Sequence, residues 1–210
     1  MTKTNSIEAC SLYLCLGIRP DLSEIIKAAI DGGVDVIQLR EKIAETVPIL
    51  ASAETITPIC RSNGVPFFIN DRLDIAMAVE ADGVHLGQDD LSPLIARRLA
   101  GERIMIGRST HARAELDRSL TEPIDYVSAG PVEATPTKAG REPTGLNYLE
   151  YATKTACVPV FVTGGVTPEK IPTLAAAGAR HFVVVRYILD AKDAFAATQA
   201  LRRAIDAALT

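Results

Sequence analysis

The run Val36-Ile37-Gln38-Leu39-Arg40-Glu41-Lys42 passes abruptly from aliphatic residues into a polar and charged cluster. The same change recurs in Phe67-Phe68-Ile69-Asn70-Asp71-Arg72 and in Val84-His85-Leu86-Gly87-Gln88-Asp89-Asp90. A short apolar run of this kind reads as a buried strand. A polar cluster at the C-terminal end of such a strand is where parallel α/β folds assemble active sites.

Outward from these runs, strand-like and helix-like segments alternate along the chain. Strands are expected over roughly Leu12–Ile18, Val34–Leu39, Pro66–Ile69, Ala81–Leu86, Arg103–Gly107, Tyr126–Ala129, Val158–Thr163 and Arg180–Val185. Between them, Asp21–Asp31 places Leu22, Ile25, Ile26, Ala29 and Ile30 on one helical face. Asp71–Val79 and Pro93–Leu99 behave alike, and Thr167-Pro168-Glu169 reads as a cap followed by proline at the first helical position. Ala191–Leu209 reads as an alanine-rich closing helix. Eight strands, each followed by a helix, predict an α/β fold of the (β/α)8 (TIM) barrel type. A doubly wound sheet would call for a glycine-rich turn after the first strand, and Gly17-Ile18-Arg19-Pro20 is not one.

The 210 residues fit a single compact domain, with a short polar N-terminal extension of about ten residues. The composition is 48% hydrophobic and 23% charged, with a net charge of −4. That balance speaks against a nucleic-acid or membrane-surface role driven by overall charge. No apolar stretch is long enough to span a bilayer, no signal-peptide core precedes the first strand, and a cytoplasmic location is expected. Cys10, Cys15, Cys60 and Cys157 form no metal-binding or redox spacing, and Cys15, Cys60 and Cys157 read as reduced core thiols.

The strand ends carry the chemistry. Gln38, Arg40 and Lys42 alternate and so share one side of an extended segment, which favours an anion site. Asn70 and Asp71 follow the third strand, and Gln88, Asp89 and Asp90 the fourth. An Asp here is either a helix cap or one of two carboxylates that, with a phosphate, hold Mg²⁺. Ser109, in Gly107-Arg108-Ser109-Thr110-His111, is a phosphate donor or a helix cap. Thr135, Thr137 and Lys138, in the long irregular stretch 130–145 held by prolines such as Pro136, read as a second anion contact or as an ordinary surface loop. Gly164-Gly165 before a helix, with Val185-Arg186 after the last strand, matches the usual phosphate position of barrel enzymes. His85 reads as a satisfied core residue, His111 as a cap or lining residue, and His181 as peripheral. No nucleophilic triad is evident.

Taken in order, Gln38-Leu39-Arg40-x-Lys42, Asn70-Asp71, Ala81-Asp82-Gly83-Val84-His85-Leu86-Gly87-Gln88-x-Asp90, Gly107-x-Ser109-x-His111, Gly130-Pro131, Thr135-x-Thr137-Lys138 and Gly164-Gly165 resemble the thiamine-phosphate synthase family over roughly residues 12–205. The resemblance implies a transferase that joins 4-amino-2-methyl-5-(diphosphomethyl)pyrimidine to 4-methyl-5-(2-phosphoethyl)thiazole and releases pyrophosphate. It implies that Gln38, Leu39, Arg40, Glu41, Lys42, Asn70, Ser109 and Lys138 surround the pyrimidine diphosphate. Arg40, Lys42, Ser109 and Lys138 would act on the departing pyrophosphate. Asp71 and Asp90 would hold one Mg²⁺ per subunit. Thr135, Pro136, Thr137, Gly165, Val185 and Arg186 would surround the thiazole phosphate. Two departures stand out, Arg186 where many relatives carry Ser and Thr163 where Ile is common. A thiazole tautomerase-like relative and a non-catalytic phosphate-ligand barrel are the alternatives. The intact cation and carboxylate sets speak against the first, and absence of turnover would mark the second. The partners implied are small molecules, with homo-oligomerisation open and no nucleic acid or membrane.

Overall fold

The computed structural model describes residues 6–136, 140 and 142–210. Among them, parallel strands β1 (Leu12–Leu16), β2 (Val36–Leu39), β3 (Phe67–Asn70), β4 (Gly83–Leu86), β5 (Met105–Thr110), β6 (Tyr126–Ala129), β7 (Val160–Val162) and β8 (His181–Val184) close into a barrel in sequence order. The ring is completed by β8 pairing with β1, Tyr13 opposite Val183. The intervening helices are α1 (Leu22–Asp31), α2 (Thr46–Asn63), α3 (Leu73–Ala78), α4 (Pro93–Ala100), α5 (Arg113–Ser119), α6 (Gly145–Thr155) and α7 (Ile171–Ala176). A short α8 (Arg186–Leu189) and the long α9 (Ala194–Leu209) follow β8. The expected (β/α)8 architecture is the one observed.

Side chains alternate along each strand, so every strand feeds two cores. Outward-facing residues such as Leu14, Ile37, Ile69, Val84 and Ile106 pack beneath the helices. Each such buried aliphatic side chain contributes about 1.5–3 kcal/mol. Inward-facing Tyr13, Val36, Phe68, Tyr126 and Phe161 form a separate cluster in the lower barrel. The rings of Tyr126 and Phe161 meet edge to face at 5.1 Å, and those of Phe68 and Tyr126 at 5.6 Å. These rings fill the bore because the facing positions are glycine. A Cβ on Gly83 would stand 2.1 Å from Phe68, and one on Gly107 would stand 2.1 Å from Tyr126. Ile7 and Cys10 are buried in this floor. The end of the expected polar extension is therefore part of the core, because an open barrel end needs an apolar plug.

An aspartate precedes each of β2, β4 and β6 and ties that strand to the one before it. Asp35 N–H donates to the Leu12 carbonyl at 2.8 Å, and Leu12 N–H returns a bond to Asp35 Oδ2 at 2.9 Å. Asp82 repeats this pair with Phe67 at 2.9 and 2.9 Å, and Asp125 repeats it with Ile106 at 2.8 and 2.6 Å. Arg180 occupies the corresponding place before β8.

Several boundaries differ from the sequence expectation for local reasons. Asp71 has φ +62°, outside the helical region, so α3 starts at Leu73. Thr167-Pro168-Glu169 forms a turn whose Thr167 carbonyl accepts from Lys170 and Ile171, and α7 starts one turn later, with Pro172 in its first turn. Asp193 caps α9 by accepting from Ala196 N–H at 2.9 Å, which sets its start after Ala191. Strand β5 runs through Ser109, so Ser109 is not a helix cap.

Candidate active site

At the C-terminal ends of the strands the bore changes character. One inward step above the aromatic floor lie Cys15, Gln38, Asn70, His85, Ser109, Ser128 and Thr163. They line a cavity of about 340 Å³ together with Arg40, Thr135, Gly164, Gly165 and Val183–Tyr187. Two steps of strand pleat thus separate an aromatic plug from a polar pocket.

Within the first cluster the side chains divide. Gln38 and Arg40 face the cavity. Among the described residues the Arg40 guanidinium has no carboxylate partner, which leaves it available to an anion. Lys42 pairs with the Asp71 carboxylate across the ends of β2 and β3. Leu39 is 1% exposed and packs into the outer core, so its side chain does not reach the cavity. Glu41 is also withdrawn. Its Oε1 accepts from Lys42 N–H at 2.9 Å and Ile43 N–H at 3.1 Å. Burial raises its pKa, but these backbone donors outweigh burial and hold the carboxyl below the ordinary glutamate value. The alternation that puts Gln38, Arg40 and Lys42 on one side sends Leu39 and Glu41 to the other.

Asn70 is buried, and its Nδ2 has no hydrogen-bond partner among the described residues. Asp71 follows in a left-handed conformation with its N–H on the His85 carbonyl at 2.8 Å. Such a conformation costs a non-glycine residue about 1–3 kcal/mol and tends to mark functional sites. Asp90 Oδ2 accepts from Gly87 N–H at 2.7 Å, whereas Asp89 is exposed. The Gly87–Asp90 loop is pinned from below. Arg108 Nη1 donates to the Gly87 carbonyl at 2.6 Å, Gln88 Nε2 donates to the Ser109 carbonyl at 2.6 Å, and Arg118 holds Gln88 Oε1 at 2.6 Å.

Asp71 and Asp90 lie close enough to act on each other's proton. Burial, then the contact with Asp90, pushes the Asp71 carboxyl up to about 6 against the opposing pull of Lys42. Burial also acts on Asp90. There it is outweighed by the bond from Asp71, the Gly87 N–H, and the charges of Lys42 and Arg108, which keep Asp90 below the usual carboxylate range. Two carboxylates in contact require a proton or a cation between them. No group of three or more His, Cys, Asp or Glu residues gathers among the described residues. A pair of carboxylates beside a cavity with a free guanidinium fits Mg²⁺, which completes its shell with water and phosphate oxygens.

On the opposite wall, Gly164 and Gly165 take φ +88° and +76°, and a Cβ on either would run into the Pro131–Glu133 segment. Thr135, Gly165, Val185 and the exposed Arg186 line this side of the cavity, and Pro136 is exposed. Thr137 and Lys138 lie outside the described residues. Thr163 is buried with its Oγ1 unpartnered among the described residues. His111 bonds Glu115 at 2.9 Å, and His181 stands at the barrel floor, 2.6 Å from the Cys10 carbonyl. Cys10, Cys15 and Cys60 are buried thiols, but Cys157 is exposed, because it follows the end of α6.

Tyr13, Cys15, His85, Ser128 and Thr163 belong to the cavity, although their sequence context did not single them out as site residues. The available signal was the period of two, which carries each strand from an inward aromatic, small or aliphatic residue to an inward polar one.

A family model for thiamine monophosphate synthase matches residues 12–188. The chain belongs to the thiamine monophosphate synthase family. A thiamine-phosphate synthase of Saccharopolyspora erythraea is 44% identical over 207 residues, covering 93% of both chains. One of Thermus thermophilus is 47% identical over 198 residues, covering 91% of this chain and 95% of the relative. A Synechocystis thiamine-phosphate synthase is 41% identical, and the chain spans only 57% of its length. The solved thiamine phosphate pyrophosphorylase of Pyrococcus furiosus superposes with a TM-score of 0.87 at 29% identity, covering 96% of this chain and 98% of that one. A 3-hexulose-6-phosphate synthase at 22% identity and TM-score 0.69 shares the fold. The activity is thiamine-phosphate synthase, a transferase reaction of thiamine biosynthesis on small-molecule substrates. Among the described residues no helix is long and apolar enough to cross a membrane.

Proposed function

We propose that the cavity takes the pyrimidine diphosphate against β2–β5 and the thiazole phosphate against β6–β8. One observation carries this reading. Arg40, with no carboxylate partner among the described residues, faces the cavity, and two residues on Lys42 meets Asp71, which neighbours Asp90, so the end of β2 supplies cations and the next two strand ends a carboxylate pair. A diphosphate with its Mg²⁺ satisfies both sets at once.

Asp71 and Asp90 would hold the metal, which when bound supplies positive charge to the leaving pyrophosphate. Arg40 and Lys42 receive diphosphate oxygens as charge grows on them, and Lys138 is assigned the same task. The C–O bond breaks with its electron pair passing to pyrophosphate. The thiazole nitrogen supplies the pair for the new C–N bond. Gln38, Asn70 and Ser109 orient the pyrimidine, while Thr135, Thr163, Gly165 and the Val185–Arg186 turn hold the thiazole phosphate. The family resemblance assigns Pro136 and Thr137 to the thiazole side and the backbone of Leu39 and Glu41 to the pyrimidine side. The protein contributes no nucleophile. Its part is to position the two rings and exclude water from the electron-poor methylene carbon.

Titration calorimetry tests the diphosphate side directly. Inorganic pyrophosphate is expected to bind only with Mg²⁺ present, and Asp71→Asn or Asp90→Asn to remove that dependence. Metal-independent binding of equal strength in wild type and both variants would contradict the reading.

A further inference from the structure

A continuous hydrogen-bonded chain runs beneath the cavity from β2 to β5. Cys15 Sγ lies 3.1 Å from Gln38 Oε1, and Gln38 Nε2 donates to Tyr13 Oη at 2.8 Å. Tyr13 Oη is 3.1 Å from Tyr126 Oη, which is 2.9 Å from His85 Nδ1. His85 Nε2 is 2.8 Å from Ser109 Oγ, and Ser128 Oγ stands 3.5 Å beyond. Tyr13 and Tyr126 are at most 1% exposed and His85 is 8% exposed, so water does not interrupt the run.

Each phenol has one proton and two neighbours, so fixing one bond fixes the rest. An amide nitrogen cannot accept. Gln38 therefore donates to Tyr13, Tyr13 donates to Tyr126, and Tyr126 donates to His85 Nδ1. The imidazole proton then sits on Nε2 and goes to Ser109. Ser109 accepts there and keeps its own proton for the cavity. Turning the Gln38 amide over reverses every bond, and Ser109 would then give its proton to His85 and show only lone pairs.

We propose that Tyr13, Tyr126 and His85 are positioning residues that couple the amide orientation of Gln38 to the donor character of Ser109. The coupled pattern is a hydroxyl donor at Ser109 and, at Gln38, an amide oxygen that accepts from the Cys15 thiol and has a second lone pair to offer. It matches the edge of an aminopyrimidine, where a ring nitrogen accepts beside an amino group that donates. This rests on the reading of Gln38 and Ser109 as contacts of the pyrimidine diphosphate.

Tyr126→Phe cuts the chain at its centre with little change of shape. ¹⁵N NMR of His85 in the ligand-free protein is expected to show an unprotonated Nδ1 and a protonated Nε2 in wild type, and averaged tautomers in the variant. In steady-state assays the variant's KM for the pyrimidine diphosphate should rise about tenfold, with the KM for the thiazole phosphate unchanged. Tyr13→Phe, which breaks the link to Gln38, should shift the same KM if Tyr126→Phe folds poorly. A protonated Nδ1 in wild type, or equal changes in both KM values, would overturn the coupling. An absence of thiamine phosphate with the expected His85 tautomer would instead leave the chain intact and overturn the substrate reading.

Discussion

Lys42 and Asp71 form an ion pair between the ends of β2 and β3. The basic cluster after one strand thereby places its terminal cation on the carboxylate that follows the next. The pair is half-exposed on the lysine side, and an ion pair of that kind contributes at most about 1 kcal/mol to folding. On the proposed reading its part lies in the reaction. Lys42→Met is expected to leave the unfolding free energy within about 1 kcal/mol of wild type while turnover falls about a hundredfold or more. Chemical denaturation and steady-state kinetics on the same preparation check this. A variant with wild-type turnover would remove Lys42 from the reaction.

The raised Asp71 carboxyl gives a pH signature. With its value pushed up to about 6, the folded protein binds this proton more tightly than the unfolded chain does. The stabilisation from that proton is present in acid and is lost as the pH rises from about 4 through about 6. Mg²⁺ must displace the same proton. The rise in Tm on adding Mg²⁺ over a chelator should therefore be larger at about pH 7.5 than at about pH 5. Equal rises at both would contradict the metal assignment.

Thr163 lines the cavity beside Gly164, and its hydroxyl has no partner among the described residues. Thr163→Val keeps the shape and removes the hydroxyl. The KM for the thiazole phosphate should increase about fivefold, the equivalent of one neutral hydrogen bond, with the KM for the pyrimidine diphosphate unaltered. Unchanged values for both substrates would show that the hydroxyl plays no part in binding.

Gly107 gives room to Tyr126 in the barrel floor. Gly107→Ala is expected to lower stability by about 1–3 kcal/mol through overpacking, measured by denaturant unfolding. No loss of stability would mean that the aromatic plug is looser than its contacts imply.

The barrel was legible because each strand is a short apolar run and each run ends in punctuation the chain repeats. That Gln38 and Arg40 face the same side was legible for the same reason, since a period of two survives past the end of β2. The preference for Asp90 over Asp89 came only through the family resemblance. In the fold Asp90 is turned back by the Gly87 N–H that it accepts, while Asp89 is exposed. Asp71's left-handed backbone, which starts α3 late, depends on its contact with β4 and has no local sequence mark. The Tyr13–Tyr126–His85 chain joins residues distant in sequence. A strand pattern shows that each points inward, but only closure of the barrel brings their polar atoms together. The side chains of Leu39 and Glu41 turn away from the cavity because a motif names consecutive residues while a strand sends alternate ones to opposite faces.

The most direct measurement is product formation. Purified protein, the pyrimidine diphosphate, the thiazole phosphate and Mg²⁺ should yield thiamine phosphate and pyrophosphate in equal amounts, with no product when the metal is chelated. No thiamine phosphate with any divalent metal, or undiminished synthesis in the presence of chelator, would contradict the account.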